Sequence, residues 1–278
     1  MVAMKPVSQL LSRPFVLIAA LLACSGAAFV VGAASDSMSL TGAGMARLET
    51  LRLAPETAGA RVYRGTVFGL DSTGGPALFT YERRVAVGAE GLSAAHITRD
   101  PAAKIIIAEE ARFTPSYVLQ RFEAANLQQG FSGAVEVSQD GRQLAYRLNK
   151  NGQISTATEA VSDPVVTGPT VHGFVLQHWD ELLAGKILPV RMLVLAEKTS
   201  YGFEIRHQSN AGGLSSFSIS PSSMFVRMAI APMKVSFVTA SKALVSYEGR
   251  VPPMRVDGQK LKTLDARVDY AMDLATYR

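Results

Sequence analysis

The sequence predicts a mainly β protein: a large curved antiparallel sheet, a half-barrel-like meander, with two short helices covering its concave face. Three observations support this fold class. From residue 61 onward, short stretches rich in β-branched and aromatic residues recur between turn signals. The connections between them are too short for crossover helices, which favours antiparallel neighbours. Only two longer stretches have helical spacing.

The chain begins with a segment typical of export signals. Lys5 and Arg13 precede an apolar run over residues 14–34 that carries no charge. We therefore expect residues 1–34 to be a signal peptide or membrane anchor and the domain to be periplasmic, either free or membrane-anchored. Residues 21–24 resemble a lipobox, which would make Cys24 the lipid attachment site. Cleavage near Ala34 and an uncleaved single span are the alternatives.

Composition constrains the rest of the chain. Residues 35–60 are small, polar and Ala/Gly-rich and predict a flexible linker, which leaves residues 61–278 as a single antiparallel β domain. Cys24 is the only cysteine, so no disulfide is expected after its removal. The formal net charge of +5 is spread along the chain. Nucleic-acid binding, which needs a concentrated basic footprint, is therefore not expected.

The predicted strands follow one another with short turns. Asp140 and Gly141 form a hairpin turn, because this pair tolerates positive backbone angles. The stretches that fit strands cover residues 62–68, 77–87, 104–113, 117–127, 133–138, 143–148, 186–196, 200–207, 214–220, 234–239, 243–247 and 262–270.

Two stretches predict helices. The first is capped by Thr170, ends at Gly185 and has its apolar residues at helical spacing, so we expect it to close the open face of the sheet. The second covers residues 220–231, and its only charge is Arg227. A helix that is apolar around most of its circumference is either buried or lies against an apolar surface.

Three stretches carry a resemblance to a known group of proteins. Residues 174–185, 244–249 and 266–270 resemble uncharacterised proteobacterial exported, periplasmic β-rich proteins of unassigned function. The resemblance implies an exported β-rich domain and transfers no catalytic residue. More remotely, a curved sheet closed by helices is similar in architecture to the half-barrels of periplasmic lipoprotein and lipid carriers.

The search for catalytic chemistry finds no motif. The histidines, none of which has a metal-ligand spacing to another, are His96, His172, His178 and His207. The adjacent carboxylates Glu109 and Glu110 point to opposite faces of a strand, so we interpret both as solvated surface charges. No catalytic residue, metal or cofactor is expected.

The leading functional hypothesis is a non-enzymatic envelope protein that binds an apolar ligand, either a lipid or a lipidated partner, on the concave face. The membrane is the expected partner of the N-terminal segment, and the protein partner is unknown. One alternative is a periplasmic scaffold acting through protein–protein contacts, and a less favoured one is a hydrolase. The residues predicted to line the apolar site are Phe174, His178, Trp179, Met224, Phe225 and Met228.

Overall fold

The structure is a computed structural model that describes residues 61–70, 75–88 and 91–272. The predicted export segment with Cys24, the predicted linker and residues 273–278 lie outside the described residues. The strands of the described part are β1 (Arg61–Gly69), β2 (Phe79–Gly88), β3 (Gly91–Arg99), β4 (Ile105–Phe113), β5 (Leu119–Asn126), β6 (Phe131–Val137), β7 (Gln143–Lys150), β8 (Gln153–Ala160), β9 (Val165–Val166), β10 (Leu188–Val194), β11 (Thr199–Ala211), β12 (Leu214–Pro221), β13 (Met233–Val238), β14 (Leu244–Asp257) and β15 (Lys260–Met272).

These strands form one large open curved sheet, which confirms the predicted fold class. Their order is β8-β7-β6-β5-β4-β3-β2-β1-β15-β14-β13-β12-β11-β10-β9. All described neighbours are antiparallel except β9 and β10. The first and last strands meet in the middle of the sheet, where Val67 pairs with Val268. Long-range pairing of the two ends therefore joins two local meanders.

The two edges of the sheet contact each other through side chains of β8, β10 and β11. Glu159 on β8 accepts hydrogen bonds from Arg191 on β10, at 2.9 Å, and from the hydroxyl of Ser200 on β11, at 2.8 Å. The sheet is therefore curled, and its concave face encloses the core.

Three described strands, β3, β8 and the two-residue β9, were not predicted from the sequence. β3 contains the small residues Ser93, Ala94 and Ala95, which carry little β-propensity signal. β8 is an edge strand whose residues are exposed or half-buried. Its sequence is therefore largely polar and lacks the apolar alternation of a core strand. The remaining predicted strands match observed ones, with shifts at their ends.

Within the described residues, three short α-helices accompany the sheet: α1 (Gly168–Gln177), α2 (Trp179–Leu183) and α3 (Met224–Ala229). The first predicted helix is divided at His178 into α1 and α2. It begins earlier than predicted, with Thr167 as N-cap, whose backbone N–H donates to the Thr170 hydroxyl at 2.9 Å. Residues 169–175 are all buried, so α1 lies inside the curled sheet as expected.

α3 differs from the interpretation that it is buried. Met224, Phe225 and Met228 are 73%, 81% and 76% exposed, and the helix has no buried residue. It occupies the connection between β12 and β13 at one end of the sheet, where the concave face does not enclose it. The alternative interpretation, contact with an apolar surface, is the one compatible with this exposure.

None of the helices in the described part of the chain combines the length and the apolar character that crossing a membrane requires.

Candidate ligand cavity

A cavity of about 410 Å³ lies between the concave face of the sheet and α1. Its lining is mostly apolar, which is typical of small-molecule sites. The apolar residues come from many strands and include Val67, Ile107, Phe122, Phe131, Val171, Leu193, Phe203, Ile219, Met233 and Val268. The aromatic and ionisable residues that share the lining beside α1 are Tyr81, Glu109, His172, Tyr247 and Tyr270.

Strand register brings the polar residues together. Tyr63, Arg83, His96 and Glu109 are successive register partners across β1, β2, β3 and β4. Directly opposed residues project from the same face of a sheet. All four are therefore on the concave face, although 46 residue positions separate Tyr63 from Glu109 along the chain.

Gly65 makes room for two aromatic rings on the concave face. It pairs with Tyr81 on one side and Tyr270 on the other, and the rings of these two tyrosines lie 6.0 Å apart, edge to face. A Cβ atom at Gly65 would lie 2.7 Å from Cγ1 of Val268 and 3.1 Å from the Tyr270 ring. The missing side chain therefore lets both rings lean over β1.

Tyr81, His96 and Glu109 form a buried polar chain. The Tyr81 hydroxyl hydrogen-bonds Nδ1 of His96, and this nitrogen lies 3.7 Å from Oε2 of Glu109. Burial, with the nearby charges of Arg83 and His172, holds the pKa of His96 well below its usual range. Burial raises the pKa of Tyr81. Both groups are thus neutral at pH 7.

Glu109 is a cavity-lining carboxyl with a raised pKa. Burial raises its pKa to about 7, and its side chain keeps 13% exposure. The start of α1 packs against this carboxyl, since a Cβ atom on Gly168 would be 3.5 Å from Oε2 of Glu109, an ordinary van der Waals contact. Near neutral pH, Glu109 therefore exists in both protonation states.

His172 is buried with neither ring nitrogen hydrogen-bonded to any residue that the structure describes. Its ring centroid lies 6.2 Å from that of Tyr270 and 6.5 Å from that of Tyr247. Burial, assisted by Arg83, lowers its pKa well below the usual value. An unsatisfied buried polar group costs about 1–3 kcal/mol. A ligand that hydrogen-bonds His172 would recover this free energy.

The side chains next to His172 differ in their hydrogen bonding. Tyr247 donates its hydroxyl to the backbone carbonyl of Arg250 at 2.6 Å, whereas Tyr270 has no hydrogen-bond partner within the described residues. Arg83 does not line the cavity. Its guanidinium donates to the carbonyl of Pro169 at 3.0 Å and lies over the Tyr63 ring, placing a positive charge behind the two histidines.

The cavity opens toward one end of the sheet, where a hairpin partly covers it. Its lining there includes Gln129 from the β5–β6 turn, Ile230 next to α3 and residues 252–254 of β14. The register of β14 with β15 shifts between Val251 and Arg255, which bends the hairpin. Met254 thereby reaches the β5–β6 turn, where Gln128 binds its backbone at 2.9 and 3.2 Å.

The cavity lining contains none of the six residues predicted to form the ligand site. Phe174 and Trp179 are buried in the core, where the Trp179 ring packs against Phe217 and Phe237. His178 contacts Phe174 and places Nδ1 2.8 Å from a carboxylate oxygen of Glu181. The other three are on exposed α3. Their role in ligand binding stays a prediction, as does lipid attachment at Cys24, which lies outside the described residues.

Sequence reasoning missed the polar residues that the cavity does collect. The prediction that Glu109 is a solvated charge is wrong, because it shares a strand face with buried Ile107, Ala111 and Phe113. That alternation was the available signal. His172, in contrast, has no local pattern that distinguishes it from a core histidine. Within the described ranges, no group of three or more His, Cys, Asp or Glu side chains could hold a metal ion.

Comparisons with known proteins give little further information. No protein-family model matches the chain, and no curated protein does. Among solved structures, the chain is similar to a β-barrel-like protein of the domain of unknown function DUF1849 from Brucella abortus. The identity is 8%, the match covers 77% of this chain and 95% of that one, and the TM-score is 0.40. The likeness is thus to a β-rich protein without an assigned function.

Proposed function

We propose that the protein is a non-enzymatic binding protein of the cell envelope, whose cavity holds a molecule with an apolar body and a hydrogen-bonding head group. A lipid or the acyl group of a lipidated partner has this chemistry. The observation that carries the proposal is His172, whose two unpartnered ring nitrogens are buried at the lining of a mostly apolar cavity.

The apolar lining supports binding of a hydrocarbon chain. Moving apolar surface from water into such a cavity is favourable by about 0.8 kcal/mol for each buried CH₂ group. The cavity volume of about 410 Å³ lies in the range of sites that enclose one small molecule.

The polar groups support an oxygen-containing head group at the α1 side. His172 and Tyr270 are neutral and lack partners among the described residues, so they are free to hydrogen-bond such a head. The positive charge of Arg83 favours an anionic head over a cationic one. Protonated Glu109 would donate to the same oxygen atoms.

The cellular location in this proposal depends on residues 1–34, whose charge pattern is that of an export signal. A reporter that is active only after export, fused after Tyr270, should be active. A soluble cytoplasmic pool of the full-length protein would contradict envelope location. In the same strain, Cys24→Ala should abolish labelling by a fatty-acid probe if Cys24 carries the anchor.

Binding is tested with native mass spectrometry and a fluorescent fatty acid. We expect a lipid to co-purify with the protein from its own envelope and the probe to compete with it. His172→Phe should weaken probe binding, because it removes both ring nitrogens while keeping an aromatic ring of similar size. The matched control is His178→Phe, since His178 is the C-cap of α1 and is outside the cavity lining.

A second pair of variants keeps the test valid if His172→Phe fails to fold. Ala124 lines the cavity, whereas Ala111 is buried without lining it. Ala124→Leu should fill the cavity and exclude the probe with little loss of stability. Ala111→Leu should instead overpack the core and cost about 1–3 kcal/mol. A stable wild-type protein that releases no lipid and binds none of a broad panel would overturn the proposal in favour of the scaffold alternative.

A further inference from the structure

We infer that the end of the sheet around the cavity opening is a docking surface for an anionic lipid bilayer. The docking surface consists of α3 and of the β14–β15 hairpin tip, residues 255–262. This inference goes beyond the proposed function and does not depend on it, because a surface can bind a membrane whether or not the cavity holds a ligand.

α3 supplies the apolar part of the docking surface. Its Met224, Phe225 and Met228 are among the most exposed large hydrophobic side chains of the described residues. They lie within a helix of six residues, so they form one patch rather than scattered exposure. Flexible methionine and aromatic side chains suit the irregular boundary between head groups and acyl chains.

The hairpin tip adds apolar and basic groups. Val256 and Leu261 are opposed on neighbouring strands and are 66% and 40% exposed. The next opposed pair, Arg255 and Lys262, faces the other side of the hairpin, and Lys260 is also exposed. Long basic side chains can extend to lipid phosphates while the apolar pair enters the interface.

Contacts place α3 and the hairpin at the same end of the molecule. Arg250, on the strand that leads into the hairpin, donates to the carbonyl of Ala229 at the end of α3, at 3.3 Å. Ile230, next to α3, and Met254, next to the hairpin tip, both line the cavity. The docking surface therefore borders the cavity at this end of the sheet.

Charge favours an anionic bilayer over a neutral surface. Residues 255–262 contain three basic residues and one acidic residue, Asp257, which pairs with Lys262. Arg227 is the only charged residue of α3. The same end of the sheet also carries an acidic residue, Glu197 of the η1 turn (Leu195–Glu197), which accepts a hydrogen bond from the Tyr201 hydroxyl. Each lysine or arginine near an anionic bilayer raises the binding affinity by roughly a factor of five.

The test uses the full chain with an environment-sensitive dye on one introduced cysteine, in a Cys24→Ala background. Phe225→Cys and Val256→Cys place the dye on the docking surface. Ile187→Cys and Val118→Cys are matched controls, because both are exposed apolar positions at the opposite end of the sheet. The apolar segment 14–34 is present in every variant, so differences between positions report the face of the domain.

With vesicles of phosphatidylethanolamine and phosphatidylglycerol, dyes at 225 and 256 should shift to the blue, and their quenching by iodide should fall by about threefold or more. Dyes at 187 and 118 should stay accessible. Equal quenching at all four positions would overturn the inference, and so would equal protection on phosphatidylcholine vesicles. Protection at 225 without vesicles, with self-association in light scattering, would also overturn it.

Charge reversal gives an independent measurement. The triple variant Arg255→Glu, Lys260→Glu, Lys262→Glu should lower the partition constant of the dye at 225 by about a hundredfold, and high salt should have a similar effect. The control pair Arg142→Glu and Lys186→Glu, at the opposite end, should leave it unchanged. Ala124→Leu should also leave docking unchanged, which separates failure of this inference from failure of the proposed ligand function.

Discussion

Gln128 holds Met254 across the cavity opening by two hydrogen bonds to the same backbone unit, although the residues are 126 positions apart in the chain. The Gln128 amide nitrogen donates to the carbonyl of Met254, and its amide oxygen accepts from the N–H of Met254. This reciprocal pair fixes the bent β14–β15 hairpin over the cavity. The neighbouring Gln129 adds a contact from its side-chain amide nitrogen to Sδ of Met254 at 3.0 Å, so the β5–β6 turn holds the hairpin through two adjacent glutamines.

Gln128→Ala should loosen this hairpin. We expect the amides of residues 252–258 to exchange hydrogen faster and any bound probe to dissociate faster, with a stability loss of about 1–2 kcal/mol. Hydrogen exchange by mass spectrometry measures the first effect. Gln153→Ala, an exposed glutamine on β8, is the control and should change neither. Unchanged exchange at the hairpin in Gln128→Ala would show that other contacts hold it.

Gly65→Ala should displace side chains that line the cavity and lower the stability of the fold. The added methyl group would meet Val268 and the Tyr270 ring, so the unfolding free energy should fall by about 1–3 kcal/mol. Adding Val268→Ala removes the closest contact. The double variant should therefore lose less than the sum of the single losses in denaturant melts. Strict additivity would mean that steric contact with Val268 is not the cause.

Glu109→Gln should stabilise the protein in alkaline conditions. The pKa of Glu109 is raised to about 7 from the ordinary 4.5, so the folded state binds its proton more tightly than the unfolded state. Folding stability is therefore lost as pH rises from about 4.5 through 7. At pH 8 the variant should exceed the wild type by about 2–3 kcal/mol more than at pH 4.5.

Denaturant melts across this pH range measure that difference. Acidification below 6.5 also destabilises the fold through His96 and His172, whose pKa values are lowered, but both proteins share this effect. A difference between variant and wild type that is independent of pH would show that Glu109 ionises as freely when folded as when unfolded.

Trp179→Ala should cost about 3–5 kcal/mol, because the ring is 4% exposed and packs against Phe217 and Phe237. Phe225→Ala is the matched control on α3 and should change stability by less than about 0.5 kcal/mol. Thermal melts compare the two. A loss below about 1 kcal/mol for Trp179→Ala would place the ring at an open cavity instead.

Local patterns were sufficient for much of the fold. Alternation within strands and turn signals such as Asp140 with Gly141 predict an antiparallel meander, because hairpin formation depends on residues close in sequence. The apolar spacing around Trp179 likewise predicts a helix that packs on the sheet, and α2 does so.

The polar end of the cavity could not be predicted in the same way. Tyr63, Arg83, His96 and Glu109 meet only because three successive hairpins have one particular register, and a slip of one residue would turn each onto the other face. The row of Tyr81, Gly65 and Tyr270 depends on pairing between β1 and β15, at the two ends of the domain. No local pattern encodes such a pairing.

By itself, the sequence determined the antiparallel meander, the helix that enters it and the export-like character of its first residues. Only the tertiary structure decided which side chains meet around the cavity and that α3 is exposed. The physical reason is that periodicity reports which residues are apolar and which face they share, because these properties are local. Whether another element covers that face depends on the closure of the whole sheet, which brings together residues far apart in the chain.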